Sequence, residues 1–221
     1  MLARNLMSDL VPALKTSDTG HQALSWMDIF RISHLPIVNE REFLGLISDK
    51  DIYDLNMVDE AIGNHSLSLF SPFVYTDQHI YEVIELSSRL KLSVIPVLDR
   101  ASNYEGLITI DDLVEHFADL SALKHPGGIL VLEVNQRDYS LTEISQIVES
   151  NDAKILSLYI SSSDSTTLME ITLKINRTDL SSIIRTFERY EYTIKASYLK
   201  DEGEEGMYQD RYDLFMKYLN T

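Results

Sequence analysis

The sequence lacks cysteine altogether, and its 221 residues include only five prolines and eight glycines. Without cysteine, the chain has no disulfide, no thiol nucleophile and no cysteine-ligated metal site. No apolar run approaches the roughly 20 residues that a membrane-spanning helix needs. No continuous apolar segment follows Arg4, so the sequence predicts no signal peptide. These absences together predict a soluble, cytoplasmic protein with no membrane partner.

Positive charge is scarce as well. The chain carries 19 Lys and Arg against 35 Asp and Glu, a formal charge of −16. A protein that binds nucleic acid neutralises phosphates with a basic surface, so no nucleic-acid partner is predicted. An acidic surface also repels nucleotides at long range, and any phosphate site must therefore rely on local groups.

Recognisable catalytic motifs are missing too. The sequence contains neither a glycine loop of the P-loop kind nor an HExxH motif. Its six histidines are scattered, and none pairs with another at ligand spacing on one predicted helix. We therefore predict that the protein is not an enzyme and that it requires no metal or other cofactor.

What the chain does contain is a repeated stretch, residues 45–52 and 106–113. Both copies read glycine, two apolar residues, Ser or Thr, two free positions and Asp. The pattern predicts a buried strand that runs straight into a helix, with Ser48 or Thr109 at the end of the strand. Asp51 and Asp112 then fall in the first helical turn, where unpaired N–H groups and the helix dipole favour a phosphate. An Asp at this place can accept hydrogen bonds from two sugar hydroxyls.

The same residues have a second interpretation. Ser48 with Asp51 and Thr109 with Asp112 also form capping boxes with Asp in the acidic position. One copy alone would favour this purely structural interpretation. A cap does not require the whole unit to recur, however, and the recurrence shifts the balance towards a ligand site.

The spacing of the repeat is regular. Pro36 recurs at Pro96, 60 residues on, while Gly45 and Asp51 recur 61 residues on, at Gly106 and Asp112. This period is longer than that of solenoid repeats, and there are only two copies. We predict that residues 1–125 form one compact unit in which two small repeats are related by a pseudo-two-fold axis.

Each repeat is predicted to contain a helix, a proline-containing strand, a second strand and a closing helix. The first helix of repeat one is expected to be capped by Ser17 or Asp18 and to carry an apolar stripe. A short helix is predicted over residues 2–10, and another from Asp49 to about Val58.

This order of elements and motifs resembles the tandem CBS pair, the cystathionine-β-synthase-type regulatory module, with repeats at 1–63 and 64–126. The resemblance implies an adenosine-containing ligand, namely AMP, ADP, ATP or S-adenosylmethionine, in clefts between the repeats. It implies that Asp51 and Asp112 hold ribose hydroxyls and that Ser48 and Thr109 meet phosphate or ribose. The adenine would be framed by backbone around Ala13, Leu14, Val74 and Tyr75 and by the residues just before Pro36 and Pro96.

Family members that bind phosphates often place a basic residue just before the proline strand. His34 is available there in the first repeat, whereas the second repeat has Val94. The two sites are therefore predicted to be unequal, with His34 as a ligand residue, although an ordinary packing histidine is the alternative. Four further basic residues lie nearby in sequence: Arg31, Lys50, Arg89 and Lys91.

A break at residues 125–128, His-Pro-Gly-Gly, predicts a domain boundary. The hydrophobic pattern of residues 127–200 predicts the order β-α-β-β-α-β of the ferredoxin-like fold. After a CBS pair this segment resembles an ACT domain, a module that often binds amino acids and dimerises. Ser140 replaces the family's usual glycine, so a dimerisation or relay role is favoured over an amino-acid site. Residues 201–221 predict an acidic linker and an amphipathic helix with Tyr208, Tyr212, Phe215 and Leu219 on one face.

The predicted fold class is therefore α/β (α+β), with a tandem CBS pair followed by an ACT-like domain. The favoured function is regulatory: a homodimer that senses an adenine nucleotide or related small molecule and changes its dimer geometry. The alternative is a structural oligomerisation module with vestigial ligand sites. An enzyme with unrecognised chemistry is the third and least favoured hypothesis.

Overall fold

The computed structural model describes residues 1–54, 56, 58–64, 71–162 and 167–199. The chain divides into two compact units, one over Met1–Phe117 and one that begins at Ala118. The predicted linker and amphipathic helix over residues 201–221 lie outside the described residues. In the part of the chain that is described, no helix has the length and apolar character needed to cross a membrane.

The first unit holds both repeats. Its helices and strands, in chain order, are α1 (Gly20–Phe30), β1 (His34–Asn39), β2 (Glu42–Ser48), α2 (Asp49–Asp54), β3 (Val74–Tyr75), α3 (Ile80–Leu90), β4 (Val94–Leu98), β5 (Tyr104–Thr109) and α4 (Ile110–Leu120). Two short 3₁₀ helices, Ala3–Asn5 and Ile62–Asn64, precede α1 and β3 respectively. The order of strands and helices in each repeat agrees with the prediction.

Strand pairing repeats with the same offset. β1 pairs antiparallel with β2, and β4 pairs antiparallel with β5. Leu14 forms a parallel bridge with Ile37, and 60 residues later Val74 pairs in parallel with Val97. A bulge follows Ile37 in one hairpin and Val97 in the other. The two repeats thus share their register as well as their motifs.

The leading segment of each repeat packs against the other repeat or its linker. The N–H of Ala3 donates to the carbonyl of Gln78 at 2.8 Å, and that of Ser8 to Leu107 at 2.9 Å. Residues 58–64 in turn bind the start of α1 and the segment before it: His21 N–H donates to the Val58 carbonyl at 2.6 Å, and Gly63 N–H donates to the Thr16 carbonyl at 2.8 Å. The helix predicted over residues 2–10 is therefore wrong. Only Ala3–Asn5 is helical, because partners 70 or more residues away take up the backbone groups.

Two other boundaries differ from the prediction. Thr19, not Ser17 or Asp18, is the N-cap of α1, and its side chain accepts from Gln22 N–H at 3.3 Å. α2 ends at Asp54 instead of near Val58. Asn56 has a φ of 51°, a left-handed conformation that a right-handed helix cannot continue through.

Each repeat has its own apolar cluster, and a third cluster joins them. Leu46 comes from the first repeat, while Leu92, Val94 and Leu107 come from the second, and all four are at most 5% exposed. Side chains from both repeats therefore exclude water from one another, which makes the first unit a single core.

The second unit has the element order β-α-β-β-α-β. Its elements are β6 (Gly128–Asn135), α5 (Leu141–Glu149), β7 (Ile155–Ser162), β8 (Leu168–Ile175), α6 (Ser181–Arg189) and β9 (Thr193–Tyr198). They form one antiparallel sheet in the order β7-β8-β6-β9. Alternate β6 residues, Leu130 and Leu132, are fully buried against a core that includes Phe187. Ser140 is the N-cap of α5 and accepts from Glu143 N–H at 3.3 Å.

Candidate functional site

The two junctions between strand and helix have the same geometry. At the first, the Ser48 hydroxyl donates to Asp51 Oδ2 at 2.7 Å and the Ser48 N–H donates to the same oxygen at 2.9 Å. At the second, the Thr109 hydroxyl donates to Asp112 Oδ2 at 2.6 Å and its N–H does so at 3.3 Å. Each hydroxyl also accepts from the N–H of its Asp, at 3.2 and 3.1 Å. The capping interpretation of these residues is thus realised in both copies.

A cap of this kind uses only one oxygen of each carboxylate. The Ser and Thr contacts all involve Oδ2, so Oδ1 of Asp51 and of Asp112 lies outside them. An ionised carboxylate oxygen accepts hydrogen bonds, and two hydroxyls of a sugar could share it. Capping and ligand binding are therefore compatible at these junctions, because the cap fixes the carboxylate without using all of its acceptors.

The junctions differ in burial and in the length of the helix that follows. Thr109 is 8% exposed, whereas Ser48 is only partly buried and Asp51 is exposed. α4 has 11 residues and α2 has six. Six residues sum fewer aligned peptide dipoles than eleven, so the second junction offers the stronger field for an anion.

A cluster of polar side chains joins the two repeats next to the junctions. Ser33 and Ser93, 60 residues apart, are neighbours: the N–H of Ser33 donates to the Ser93 hydroxyl at 3.0 Å. Nδ1 of His34 lies 3.0 Å from the Ser93 Oγ and 3.1 Å from the Ser33 Oγ. In the register of β1 and β2, His34 is opposite Ser48. The structure thus brings His34, Ser48 and Asp51 together.

The electrostatics of His34 do not support the phosphate contact expected from its position. Burial lowers the pKa of His34 below its usual 6.5, although Asp49 and Asp51 act in the opposite direction. The N–H of Ser93 also points at Nδ1, at 3.4 Å, which requires a lone pair there. Burial thus disfavours the charged imidazolium form that would attract a phosphate. His34 therefore serves first as a link between the repeats.

Ala13 and Leu14 lie elsewhere. Leu14 is fully buried, its N–H donates to the Pro36 carbonyl at 2.8 Å, and its carbonyl accepts from Val38 N–H at 2.8 Å. Its backbone is therefore used in strand pairing. Both residues line a cavity near the turn of the first hairpin, together with Tyr104. Because Leu14 pairs with Ile37, it lies about 10 Å along the strand from His34.

Val74 and Tyr75 occupy the equivalent place in the second repeat. Val74 is buried and pairs with Val97. The Tyr75 N–H donates to Gln78 at 2.6 Å, and the Arg100 guanidinium lies 4.3 Å from the centre of the Tyr75 ring. Pro36 and Pro96 lie in mid-strand, opposite Leu46 and Leu107. Pro36 and Pro96 are thus two residues along their strands from His34 and Val94, the residues that pair with Ser48 and Thr109.

Arg31 is a residue whose placement the sequence did not reveal. It lines a surface cavity of about 540 Å³ beside Ser33, Ser93 and Asp49. Its φ is 54°, and the equivalent Lys91 has a φ of 56°, so both repeats hold a basic residue in the left-handed conformation after their first helix. Arg89, by contrast, pairs with Glu85 at 2.8 Å. The signal in the sequence was a basic residue five positions before each proline.

No group of three or more His, Asp or Glu side chains within the described ranges has the arrangement of a metal site. The two junctions hold carboxylate acceptors, hydroxyls and backbone N–H groups. Such groups suit a ligand with several hydroxyls.

Comparison with known proteins matches the CBS domain family at residues 3–57 and 70–119. The chain is 25% identical over 134 residues to the inosine-5′-monophosphate dehydrogenase of Aquifex aeolicus (strain VF5). The matched region covers 58% of this chain and 27% of that enzyme. It thus spans only about a quarter of the length of that relative.

Solved structures with a similar fold include a CBS domain pair/ACT domain protein from Thermotoga maritima. The TM-score is 0.48 at 21% identity, with 54% of this chain and 98% of that chain covered. Another is CBSX2 in complex with AMP, with a TM-score of 0.45 at 18% identity, covering 53% and 96% of the two chains.

Proposed function

We propose that this chain, whose residues 3–119 contain a tandem pair of CBS domains, is a regulatory protein that senses an adenosine-containing ligand. AMP, ADP, ATP and S-adenosylmethionine are the candidate ligands. Occupancy of the clefts between the repeats would change the geometry of a homodimer. The protein would act through binding and not through catalysis.

The observation that carries the proposal is the repeated junction. Ser48 with Asp51, and Thr109 with Asp112, have matching hydrogen bonds in two places of one compact unit. Each presents a carboxylate that is fixed by its cap and has an oxygen to spare. A ribose carries two adjacent hydroxyls that such an oxygen can accept from. In this proposal Asp51 and Asp112 hold the ribose and Ser48 and Thr109 lie towards the phosphates.

Arg31 supplies the positive charge that a phosphate needs and that His34 lacks. Arg31 shares its cavity with the hydroxyl-bearing residues Ser33 and Ser93. In a chain with a charge of −16, a local cation is required to offset the long-range repulsion of a nucleotide.

The alternative function, a structural oligomerisation module with vestigial sites, is favoured by a specific observation. The hydroxyl and N–H groups of Ser48 and Thr109 and the N–H groups of Asp51 and Asp112 already have partners within the capping boxes. His34 likewise has its Nδ1 occupied by the two serines. A junction that is complete without a ligand is what this alternative expects.

For the second unit we propose a ferredoxin-like, ACT-type domain with a role in dimerisation. The sheet order β7-β8-β6-β9 supports the ferredoxin-like assignment, since the two central strands are the first and third of the domain. Ser140 is engaged as the N-cap of α5, which favours an interface or relay role over an amino-acid site at that turn.

One set of measurements tests the proposal. Calorimetric titration of the full chain with ATP, ADP, AMP, S-adenosylmethionine and NAD, side by side, should show saturable binding of at least one adenosine-containing ligand. Light scattering at micromolar concentration, with and without that ligand, should report a dimer. A dimer that binds none of the five would support the oligomerisation module instead, and a monomer would refute the homodimer.

A further inference from the structure

A cavity of about 480 Å³ lies at the turn of the first hairpin, at the other end of β1 from His34. Asn39, at the turn end of β1, is five residues from His34, or about 17 Å along the strand. The polar residues that line it are Lys15, Thr16, Ser17, Asn39, Glu40 and Tyr104. None of Ser48, Asp51, Thr109 and Asp112 lines this cavity.

In the second repeat, a side chain of the protein occupies the place equivalent to this cavity. There the Arg100 guanidinium lies 4.3 Å from the centre of the Tyr75 ring and donates to Asp77 at 2.9 Å. In the second repeat the Arg100 side chain thus covers the end of the strand and binds both Tyr75 and Asp77.

The first repeat cannot form that contact. The residues 60 positions earlier are Glu40 in place of Arg100, Lys15 in place of Tyr75 and Ser17 in place of Asp77. No ion pair joins Lys15 to Glu40 among the residues that the structure describes. The open cavity therefore has an ammonium and a carboxylate on its wall, with hydroxyls beside them.

Tyr104 gives a second, independent indication. It reaches into this cavity from the second repeat, and its N–H donates to the Arg41 carbonyl at 2.7 Å. Its ring stacks on Phe43 with centres 6.3 Å apart. Burial raises the pKa of the Tyr104 hydroxyl, and within the described ranges that hydroxyl has no hydrogen-bond partner. Tyr104 is partly buried and lines the cavity, so its hydroxyl can pair with a polar group of a ligand that enters.

We propose that this cavity binds a small zwitterion of the amino-acid class. The carboxylate of the ligand would pair with Lys15 and accept from the Thr16 and Ser17 hydroxyls. The ammonium group would pair with Glu40, and a polar group of the ligand would meet the Tyr104 hydroxyl. Charge-assisted hydrogen bonds at both ends would select molecules that carry both charges.

The test uses the full-length protein and a panel of the twenty L-amino acids. Thermal shift identifies any binder, and calorimetry then gives its affinity, with and without saturating ATP. We expect at least one amino acid to bind. Its N-acetyl derivative and its amide, which each lack one charge, should bind at least about ten-fold more weakly. Binding at a separate cavity should persist in the presence of the nucleotide.

Three substitutions assign the site. Lys15→Gln, Glu40→Gln and Tyr104→Phe should each weaken binding, the first two by about ten-fold. Lys91→Gln and Glu188→Gln are matched controls that remove the same charges at exposed positions that do not line the cavity, and they should leave the affinity unchanged. The proposal is overturned if no amino acid binds, if the charge-blocked derivatives bind equally well, or if the three substitutions have no more effect than the controls.

Discussion

Replacing Asp51 or Asp112 with Asn separates the ligand and capping roles of these carboxylates. Asn has nearly the same size, but it has one oxygen instead of two and no charge. If that oxygen stays on the Ser48 or Thr109 contacts, the NH₂ group occupies the place of Oδ1. An acceptor facing the cleft then becomes a donor. A ribose hydroxyl would lose a charge-assisted hydrogen bond of roughly 1.5–3 kcal/mol, so affinity should fall by about ten-fold or more.

The cap itself should be affected much less. Asp51 and Asp112 are the acidic members of their capping boxes, and the carbonyl oxygen of Asn can still accept the Ser48 or Thr109 hydrogen bonds. Either substitution should therefore cost at most about 1 kcal/mol of the free energy of unfolding. Asp54→Asn and Asp111→Asn are matched controls. They remove the same charge from exposed positions on α2 and α4, outside the Ser48 and Thr109 contacts. Calorimetry with the best-binding nucleotide measures affinity, and thermal melting measures stability.

The structure also changes the prediction of which substitution, at Asp51 or at Asp112, should reduce ligand affinity more. The sequence alone predicts a larger effect at Asp51, because His34 gives the first repeat an extra group for phosphate. Burial instead lowers the pKa of His34, and its ring is bound to Ser93, while Thr109 is buried and precedes the longer helix. We therefore expect the larger loss at Asp112. Unchanged affinity in both variants, together with a lowered melting temperature, would show that the residues are caps only and that the ligand proposal is wrong.

Three further changes test other parts of the structure. The pKa of His34 is lower in the folded state than in the unfolded state, so as the pH falls below about 6.5 the unfolded chain is protonated first. The free energy of unfolding should therefore decrease between about pH 6.5 and the pKa of His34 in the folded state. The His34→Asn variant should lack this decrease when the free energy of unfolding is measured by denaturant titration from about pH 7.5 to 5. If the free energy of unfolding of the variant and of the unaltered protein changed in parallel with pH, the result would contradict this prediction. Gly127→Ala should destabilise the second unit by more than about 2 kcal/mol, since the φ is +144° and a Cβ would lie 2.0 Å from the Ile175 carbonyl oxygen. Gly106→Ala is the control, because its Cβ meets only the flexible Met7 side chain at 3.2 Å, and an equal loss in both would be evidence against this account. Deletion of residues 1–8 should raise hydrogen exchange in α3 more than in α1, and the reverse order would contradict the observed packing.

Local patterns in the sequence were sufficient to predict most of the helices and strands of the first unit. Apolar runs marked the strands, and the recurrence of Gly45 and Pro36 at Gly106 and Pro96 marked the repeat. These features depend on burial and on turn chemistry, which a short stretch of sequence records directly. The capping boxes at Ser48 and Thr109 were predictable for the same reason, since they involve residues only three positions apart.

The site was harder to predict because it depends on contacts between distant residues. Nothing near His34 in the sequence shows that its ring meets Ser93, 59 residues away. The same holds for Arg31, whose direction depends on a left-handed residue at the end of α1. The register of Leu14 against Ile37 likewise decides that Ala13 and Leu14 lie by the hairpin turn. A shift of two or three residues along a strand cannot be read from composition.

The packing of the N-terminal residues affects where the boundary between the two repeats should be drawn. Ala3 and Leu6 are fully buried, and both belong to the apolar cluster of the second repeat. Ile62 is also fully buried, but it belongs to the cluster of the first repeat. A boundary drawn in the sequence near residue 63 therefore assigns Ile62 to its own core, but it assigns Ala3 and Leu6 to the wrong one. The core of the second repeat is completed by a segment that precedes the first repeat, so the second repeat has no full core without the whole of the first unit.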